Sequence, residues 1–300
     1  MILFLSNGKQ IRGDLIRRAV LRSDLAPIPC TLEAEINSGD ETMDRLLAEG
    51  ESLITESGDK YFIVKSEHVI GNRVRGDRLD TGNKITALLE ATLPAAYVRS
   101  TAVIKENSSL SGVYRAVGAS IRVIEGDFPV ARFYCPVGET PTFHIARILQ
   151  EEGGVVRWKN NRMRFFALGE LTAQKAVREF SDKSSDTVQT GFLERHTVPW
   201  FFSLSETGEF VFGNRTKARK AAFSPFKNVI RLRNLTRCLV QKKVVKLAMD
   251  MQIAAGDLLR NATDGKNYVV LTVAHVFETG ADVGSAANTY SRVWLGQVEE

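Results

Sequence analysis

The chain reads Tyr61-Phe62-Ile63-Val64-Lys65-Ser66-Glu67-His68-Val69 near its N-terminus and Tyr268-Val269-Val270-Leu271-Thr272-Val273-Ala274-His275-Val276 near its C-terminus. A glycine and an acid precede each stretch, as Gly50-Glu51 and Gly256-Asp257, eleven residues before the first tyrosine and twelve before the second. A turn between two strands tolerates one extra residue easily. The matched order of these features favours an internal duplication over a chance likeness between two strands.

The similarity extends upstream to two segments in which apolar residues alternate with other residues. Alternation with a period of two places one side of a strand on a core. We therefore expect two related β-barrel domains, in which Tyr61 superposes on Tyr268 and His68 on His275. The apolar members of the upstream segments are Leu32, Ala34 and Ile36, matched to Leu247, Met249 and Met251.

Length and composition indicate a globular protein of two or three domains, with 300 residues of which 44% are hydrophobic. No stretch approaches the eighteen or so apolar residues of a membrane span, and the apolar start of the chain is too short for a signal peptide. We therefore expect synthesis in the cytoplasm and no binding to membranes. Cys30, Cys135 and Cys238 lie far apart, which indicates neither a disulfide framework nor a zinc site.

Turn signals and apolar periods predict a mainly β protein of the α+β class. We divide it into a first β-barrel domain (1–97), a mixed α/β middle domain (98–190) and a second β-barrel domain (191–300). In the middle domain Thr140-Pro141 begins a helix and Asn160-Asn161 marks a two-residue hairpin turn. Further predicted elements are helices over 40–49, with Asp40 as N-cap, over 108–117 and over 170–180, a polar loop over 71–83, and strands over 229–240 and 244–253.

The net charge of +5 is unevenly distributed, because residues 210–249 contain eleven bases and no acid. Within this stretch we predict that Lys217, Arg219 and Lys220 lie in a long loop and contact an adjacent protein subunit. The alternative is a nucleic-acid-binding β-barrel protein that uses the basic stretch 215–246. Aromatic residues are sparse between those bases, which weakens the case for stacking on single strands.

Catalytic signals are weak along the whole chain. His68 and His275 occupy matching positions, but neither has a nearby cysteine or histidine partner, so we interpret both as structural residues. No phosphate-binding glycine loop, nucleophile elbow or kinase signature is present. We expect no enzyme activity, no metal and no cofactor. An enzyme with carboxylates that leave little trace in one sequence stays open as a third class.

The middle helix reads Thr142-Phe143-His144-Ile145-Ala146-Arg147-Ile148-Leu149-Gln150-Glu151-Glu152-Gly153-Gly154, and the hairpin after it ends in Arg162-Met163-Arg164-Phe165. Together they resemble a segment of tail hub proteins. The corner Val20-Leu21-Arg22-Ser23-Asp24-Leu25-Ala26-Pro27-Ile28-Pro29 also resembles openings of phage tail proteins. The family comprises baseplate hubs of contractile-tailed phages and the N-terminal part of the valine-glycine-repeat spike proteins of type VI secretion.

The resemblance implies a structural protein of the virion tail or baseplate, assembled in the host cytoplasm. It implies a homotrimer with two like barrels per chain, so that six similar units form a ring between a six-fold tube and a three-fold spike. The implied partners are a tail tube protein, a separate central spike protein, and other baseplate or tape-measure proteins. Contact with DNA is expected, if anywhere, in the lumen of the ring.

Overall fold

The computed structural model describes residues 1–38, 41–75, 78–181, 185–187, 198–215, 219–279 and 288–299. Its helices are α1 (Glu41–Leu46), α2 (Leu110–Ala116), α3 (Pro141–Glu151), α4 (Leu168–Ala173) and α5 (Val229–Thr236), with short 3-10 helices at Gly13–Leu15 and Glu90–Ala96. Its strands are β1 (Leu3–Leu5), β2 (Ile16–Asp24), β3 (Cys30–Asn37), β4 (Ser52–Thr55), β5 (Lys60–Arg75), β6 (Arg78–Leu89), β7 (Val103–Ser109), β8 (Ile124–Glu125), β9 (Pro129–Cys135), β10 (Gly154–Lys159), β11 (Arg162–Ala167), β12 (Arg178–Phe180), β13 (Ser185–Thr187), β14 (Trp200–Leu204), β15 (Phe210–Phe212), β16 (Ala221–Phe223), β17 (Cys238–Ala248), β18 (Leu258–Asn261), β19 (Asn267–Glu278) and β20 (Asn288–Glu299).

The protein is mainly β, and strands from both ends of the chain share one large sheet. Its order is β1-β4-β5-β6-β3-β2-β19-β20-β17-β13. Strand β18 also pairs with β19, and β12 pairs with β18. Among the described strands this sheet does not close, so the prediction of two barrels is not confirmed. Instead β2 pairs with β19. This pairing covers two strand edges that separate barrels would each have to close.

The same antiparallel strand order occurs twice in this sheet, as β4-β5-β6-β3-β2 and as β18-β19-β20-β17-β13. We call these two sets the first unit and the last unit. Gly50 N–H donates to the Ile63 carbonyl at 3.0 Å, and Gly256 N–H donates to the Val270 carbonyl at 2.8 Å. The ladder shifts register directly after Ile63 and directly after Val270. The two units therefore share strand order, turn contacts and bulge positions.

The register corrects the upstream match between the units. Ile36 lies opposite Asn83, and Leu247 lies opposite Ser291 at the corresponding place in the last unit. Leu247 thus corresponds to Ile36 rather than to Leu32. Alternation of apolar residues could not detect the four-residue error, because any even shift of a strand preserves which side faces the core.

Several element predictions are confirmed and others are wrong. Helices α2 and α3 form as expected, and Asn160 and Asn161 adopt φ angles of 54° and 58° at the turn between β10 and β11. The loop predicted over 71–83 is wrong, because β5 and β6 extend through most of it as one long hairpin. The helix predicted over 170–180 ends early, since α4 stops at Ala173 and β12 follows. Asp40, the predicted N-cap of α1, lies outside the described residues.

The strand predicted over 229–240 is a helix, α5, followed by the start of β17. Asn228 caps this helix by accepting a hydrogen bond from the Arg231 N–H at 2.9 Å, and Leu232 and Leu235 are buried on one face. The strand predicted over 244–253 begins earlier and ends at Ala248, so β17 is one strand with a bulge. Apolar residues of the type found in strands misled the prediction, and the cap decides the local structure.

Each unit has a hydrophobic core of its own, and residues 103–167, to which the name middle domain refers from here on, form a third. Tyr61 is fully buried in the core of the first unit, Tyr268 is buried in that of the last unit, and Phe133 lies in that of the middle domain. The middle domain contains the β7–β9 pair, the sheet β10-β11-β8 and the packed helices α2 and α3. No helix in the described chain is long and apolar enough to span a membrane.

Candidate assembly interface

The first and last units meet inside the chain where β2 pairs with β19, a contact that we call the seam. Its antiparallel register runs from Asp24 opposite Thr272 to Arg18 opposite Glu278. The Thr272 hydroxyl donates to Asp24 Oδ1 at 2.6 Å, and Arg18 Nε lies 3.3 Å from Glu278 Oε1. Backbone pairing and side chains at both ends hold the seam, so one strand edge from each unit is covered.

The corresponding edges at the far ends of the sheet have no strand beside them among the described residues. Strand β13 corresponds to β2. Ser185 of β13 lies opposite Val245 on β17, and Ala19 of β2 lies opposite Ala34, which is the residue of β3 that corresponds to Val245. Residues 65–70 of β5 correspond to the part of β19 that β2 covers. We call these two stretches the open edges, because no described strand pairs with their outer sides, and such an edge can template another strand.

The Ser66 N–H shows which side of β5 is open. It donates to Glu49 Oε1 at 3.4 Å, on the side of β5 where Gly50 also pairs with Ile63. This is the side away from β6, so a strand added here would replace a single weak side-chain contact with a ladder of backbone hydrogen bonds.

The repeated tyrosines and histidines lie at corresponding register positions. Tyr61 is opposite Leu53, and Tyr268 is opposite Leu259. His68 is opposite Asn83, whose Oδ1 lies 3.3 Å from its Nδ1. His275 is opposite Ser291, whose hydroxyl lies 2.8 Å from its Nδ1.

The two histidines differ in what surrounds them. His68 is exposed, whereas His275 is buried with its Nε2 3.0 Å from the Ile253 carbonyl oxygen. If Nε2 donates to that carbonyl, Nδ1 accepts from the Ser291 hydroxyl and the ring is neutral. Burial lowers the pKa of His275, and the Ile253 carbonyl opposes the shift in part. His275 is therefore a neutral structural residue that fastens the turn after β17 to the sheet.

The two ends of the large sheet carry different structures. At the hairpin rim β5 is followed by β6 and β19 by β20, so both units present the same kind of hairpin. At the opposite end, the domain rim, β2 ends and β3 begins. The middle domain follows β6 at this rim. Residues 198–215 and 219–237, which we call the insertion, precede β17 at the same rim. At the corresponding place the first unit has only the corner 25–29.

A hairpin of the middle domain, β10–β11, joins both units at the domain rim. Asp257, with 4% of its side chain exposed, accepts from Arg157 at 3.0 Å and from Lys159 at 2.7 Å. Burial lowers the pKa of Arg157, and the charge of Asp257 opposes the shift. On the other side Trp158 Nε1 donates to Asp59 Oδ1 at 2.7 Å, and Asn161 donates to the Ser57 carbonyl at 2.8 Å. The hairpin thus fixes the two units relative to each other.

The basic stretch is partly neutralised by acids from other segments. Lys227 lies 2.7 Å from Glu151, Arg231 lies 2.7 Å from Glu152, and Lys242 pairs with Glu299. The first two contacts dock α5 and the segment before it onto the end of α3, and the third joins β17 to the end of β20. The sequence did not indicate them because the partners are at least 57 residues apart.

The predicted contact residues fall in the insertion, just before β16. Lys217 lies outside the described residues. Arg219 is half-buried, and its guanidinium donates to the Thr236 carbonyl at 3.5 Å. Lys220 is exposed, and its carbonyl accepts from the Trp200 N–H at 3.0 Å. Arg219 and Lys220 therefore lie in the segment that leads into β16, where these two contacts hold it. Their contact with an adjacent subunit stays a prediction.

Metal and nucleophile chemistry find little support in the described chain. Among those residues no group of three or more His, Cys, Asp or Glu side chains could hold a metal ion. Cys30 is buried, and burial raises the pKa of its thiol to about 12, which keeps it protonated and unreactive.

No protein-family model and no curated protein matches the chain, whereas solved structures do. The tail protein from Neisseria meningitidis MC58 has a TM-score of 0.67 at 11% identity, covering 99% of this chain and 95% of that one. The 43 kDa tail protein of prophage MuSo2 from Shewanella oneidensis has a TM-score of 0.60 at 11% identity, covering 99% and 96%.

A third structural neighbour comes from a secretion machine. The E. coli c3393 protein has a TM-score of 0.56 at 10% identity, covering 95% of this chain and 74% of that one. It is described as a component of the type VI secretion system with structural similarity to the T4 bacteriophage tail proteins gp27 and gp5. The resemblance to tail hub proteins is thus confirmed at the level of the fold, which this chain shares with phage tail proteins and a type VI secretion component.

Proposed function

We propose that this chain is a structural hub of a phage tail or related injection machine. In this proposal it is a homotrimer that adapts a six-fold tail tube to a three-fold central spike. The shared fold supports a structural tail role. The observation that carries the trimer is the pair of open edges, each the counterpart of an edge that the seam covers within the chain.

The seam supplies the pattern for contacts between chains. If β13 of one chain pairs with β5 of the next in the register of β2 with β19, Ser185, Asp186 and Thr187 lie opposite Ile70, Val69 and His68 of the next chain. Repeated head-to-tail contacts close into a ring when their rotation allows it. With two units per chain, three chains make about six similar seams, half of them within chains and half between chains.

The two rims then have different symmetry. The hairpin rim repeats in both units, so a trimer presents six similar hairpins, which suits a six-fold tube protein. The middle domain and the insertion occur once per chain, so the domain rim presents three copies, which suits a three-fold spike. The protein works in the virion tail or baseplate, beside tube, spike and tape-measure proteins, after assembly in the host cytoplasm.

The mass of the isolated protein and of the assembled particle tests the trimer. We expect three chains of 33.3 kDa, about 100 kDa together, in the particle if not in isolation. Ser66→Pro removes the N–H at the open edge of β5 and should abolish the trimer while the monomer stays folded. Ser66→Thr keeps the N–H and should keep the trimer. A monomer in the wild-type particle would refute the proposal.

The basic residues give a second test, which separates protein contacts from nucleic-acid binding. Changing Lys217, Arg219 and Lys220 to Glu should impair particle assembly and reduce its rate, since such contacts orient partners rather than add much affinity. Tight, salt-sensitive binding of DNA by the purified wild type, lost in the same variant, would favour the nucleic-acid alternative.

A further inference from the structure

One face of the hairpin β10–β11 carries four bases in two directly opposed pairs. Arg157 lies opposite Arg164, and Lys159 lies opposite Arg162. The two pairs are neighbours on the same face, because every second residue of a strand points to the same side. Like charges directly opposite each other destabilise a strand pair, so the charge on this face must be compensated by other groups.

Two acids from neighbouring elements compensate part of this charge. Asp257 accepts from Arg157 at 3.0 Å and from Lys159 at 2.7 Å. Glu125 of β8 lies 3.3 Å from Arg162 of β11. Four bases therefore face two carboxylates, which leaves a surplus of two positive charges.

Arg164 is exposed and has no acid within ion-pair distance among the residues that the structure describes. Its guanidinium is nevertheless held in place, 4.3 Å from the centre of the Phe166 ring, and that of Arg157 lies 4.6 Å from the same ring. Contact with an aromatic ring orients a guanidinium without using its N–H donors. Burial lowers the pKa of Arg157, and the charge of Arg164 adds to this shift. The donors of Arg164 are thus positioned for a ligand.

The four bases line a cleft of about 410 Å³, which we call the basic cleft. Its lining consists of Glu125, Arg157, Lys159, Asn160, Arg162 and Arg164. Every one of these side chains is polar or charged, so the cleft selects a ligand by charge and hydrogen bonds rather than by apolar contact.

The surplus of two charges matches a phosphoryl group better than a carboxylate. A phosphomonoester carries a charge of about −1.5 to −2 at pH 7 and offers three strong acceptor oxygens. A carboxylate or a phosphodiester carries a single negative charge. The planar guanidinium matches the geometry of phosphate oxygens and can donate two parallel hydrogen bonds to them.

A nucleic-acid strand fits the basic cleft less well, because acids bound the cleft on several sides. Asp257 lies beside β10, and Glu125 lies on β8 beside β11. Beyond the turn, Glu56 and Asp59 line the next cavity. The further base Arg122 lines a cavity that it shares with Glu125. The positive surface is therefore confined to one cleft and does not form the groove along which a nucleic-acid backbone runs.

We propose that the basic cleft binds inorganic phosphate or the phosphoryl group of a small phosphomonoester, with Arg164 as the main donor. The bound dianion replaces repulsion across two strand pairs with charge-assisted hydrogen bonds. Because the hairpin contacts both the first and the last unit, the anion also strengthens the connection between them. The site lies within one chain, so it does not depend on the trimer.

Calorimetric titration of the purified protein with inorganic phosphate, at constant ionic strength, tests the site. We expect one phosphate per chain with a dissociation constant on the order of 1 mM, and binding about tenfold weaker in Arg164→Gln. Arg292→Gln is the matched control, because Arg292 is also exposed, opposite Lys246 and over the Trp294 ring, but lies outside the basic cleft. Its binding should change less than about twofold. Equal binding by the wild type and Arg164→Gln, or no binding by the wild type, overturns the proposal.

Titration with other probes identifies the ligand class. Tighter binding of glycerol 3-phosphate than of phosphate identifies a phosphomonoester, and equal or weaker binding identifies free phosphate. Acetate and dimethyl phosphate carry one charge each, so both should bind at least about tenfold more weakly than phosphate. Acetate that binds as tightly as phosphate would indicate a site for acidic protein segments, and dimethyl phosphate that does so would indicate a nucleic-acid site. Either result overturns the proposal.

Discussion

The first and last units share a backbone plan but differ in what covers them. The second half of β19 lies between β20 and β2, whereas the corresponding half of β5 has β6 on one side and no described strand on the other. The side chains follow this difference, because the stretch on β19 carries the buried residues Val273 and His275 where the stretch on β5 carries Ser66 and the exposed His68. The same strand arrangement therefore has strands on both sides in the last unit and one open side in the first unit, among the described strands.

The turn before each long hairpin differs in the same way. Asp257 is buried and accepts from Arg157 and Lys159 of the middle domain. The carboxylate of Glu51, at the corresponding position, is half-buried and accepts only from the Ser6 hydroxyl at 2.9 Å among the described contacts. The middle domain therefore contacts the last unit through two ion pairs, and the first unit through hydrogen bonds to the Asp59 carboxylate and the Ser57 carbonyl. Equal backbones do not imply equal energetic roles.

The largest expected contrast comes from proline at corresponding positions of β5 and β19. Val273→Pro removes a ladder hydrogen bond from a strand that is paired on both sides and replaces a fully buried valine side chain with a ring of different shape. We expect a loss of about 3 kcal/mol or more in the free energy of unfolding. Ser66→Pro should cost less than about 1 kcal/mol in the monomer, because that edge is unpaired. Denaturant unfolding of both variants measures the difference, and equal losses would remove the distinction between seam and open edge.

The second contrast concerns the acids before the hairpins. Asp257→Asn leaves two cations facing a neutral amide in a largely buried site, so we expect a loss of about 2 kcal/mol. Glu51→Gln keeps an acceptor for Ser6 and should cost less than about 0.5 kcal/mol. Thermal unfolding monitored by circular dichroism measures both losses. A small effect at Asp257 would mean that the hairpin is held mainly by packing.

Sequence reasoning found the repeat because its signals are local. The glycine–acid pair, the tyrosine and the histidine each sit at a turn or strand position where one residue type has a clear advantage. The hairpin at Asn160-Asn161 was predictable for the same reason, since both residues adopt positive φ. Features that depend on a few adjacent residues can be predicted from the sequence alone.

The seam and the insertion were not predictable, because they depend on distant partners. No sequence pattern in β2 indicates that it pairs with residues some 250 positions away. The sequence predicts a strand at α5 because the apolar residues there are of the strand-forming type, whereas the docking of the helix on α3 depends on Glu151 and Glu152. The exposure and the positive φ angle of Phe226 could not be predicted from the residues around it.

A smaller contrast follows from the two histidines and depends on pH. The pKa of His275 is lowered by burial, so the unfolded chain binds a proton more readily than the folded chain. The stability from the neutral ring is fully present above a pH of about 6.5 and is lost as pH falls towards the lower pKa of the folded state. The stability difference between the wild type and His275→Gln should therefore shrink from pH 8 to pH 5. His68→Gln is the exposed control at pH 8, where it should cost less stability than His275→Gln. Parallel pH profiles for the wild type and His275→Gln would contradict the assignment.

The smallest expected effect lies at the turn by which the middle domain touches the first unit. Asn161→Gly suits the positive φ of 58° but loses the hydrogen bond to the Ser57 carbonyl, so we expect a net loss of about 0.5 kcal/mol. Asn160→Gly relieves a similar φ of 54° and should change stability by no more than about 0.5 kcal/mol in either direction. Both effects should be well below that of Asp257→Asn, because a neutral bond near solvent is exchanged readily for one to water. Parallel urea titrations of the three variants rank them, and a loss at Asn161 as large as at Asp257 would mean that the middle domain holds both units equally.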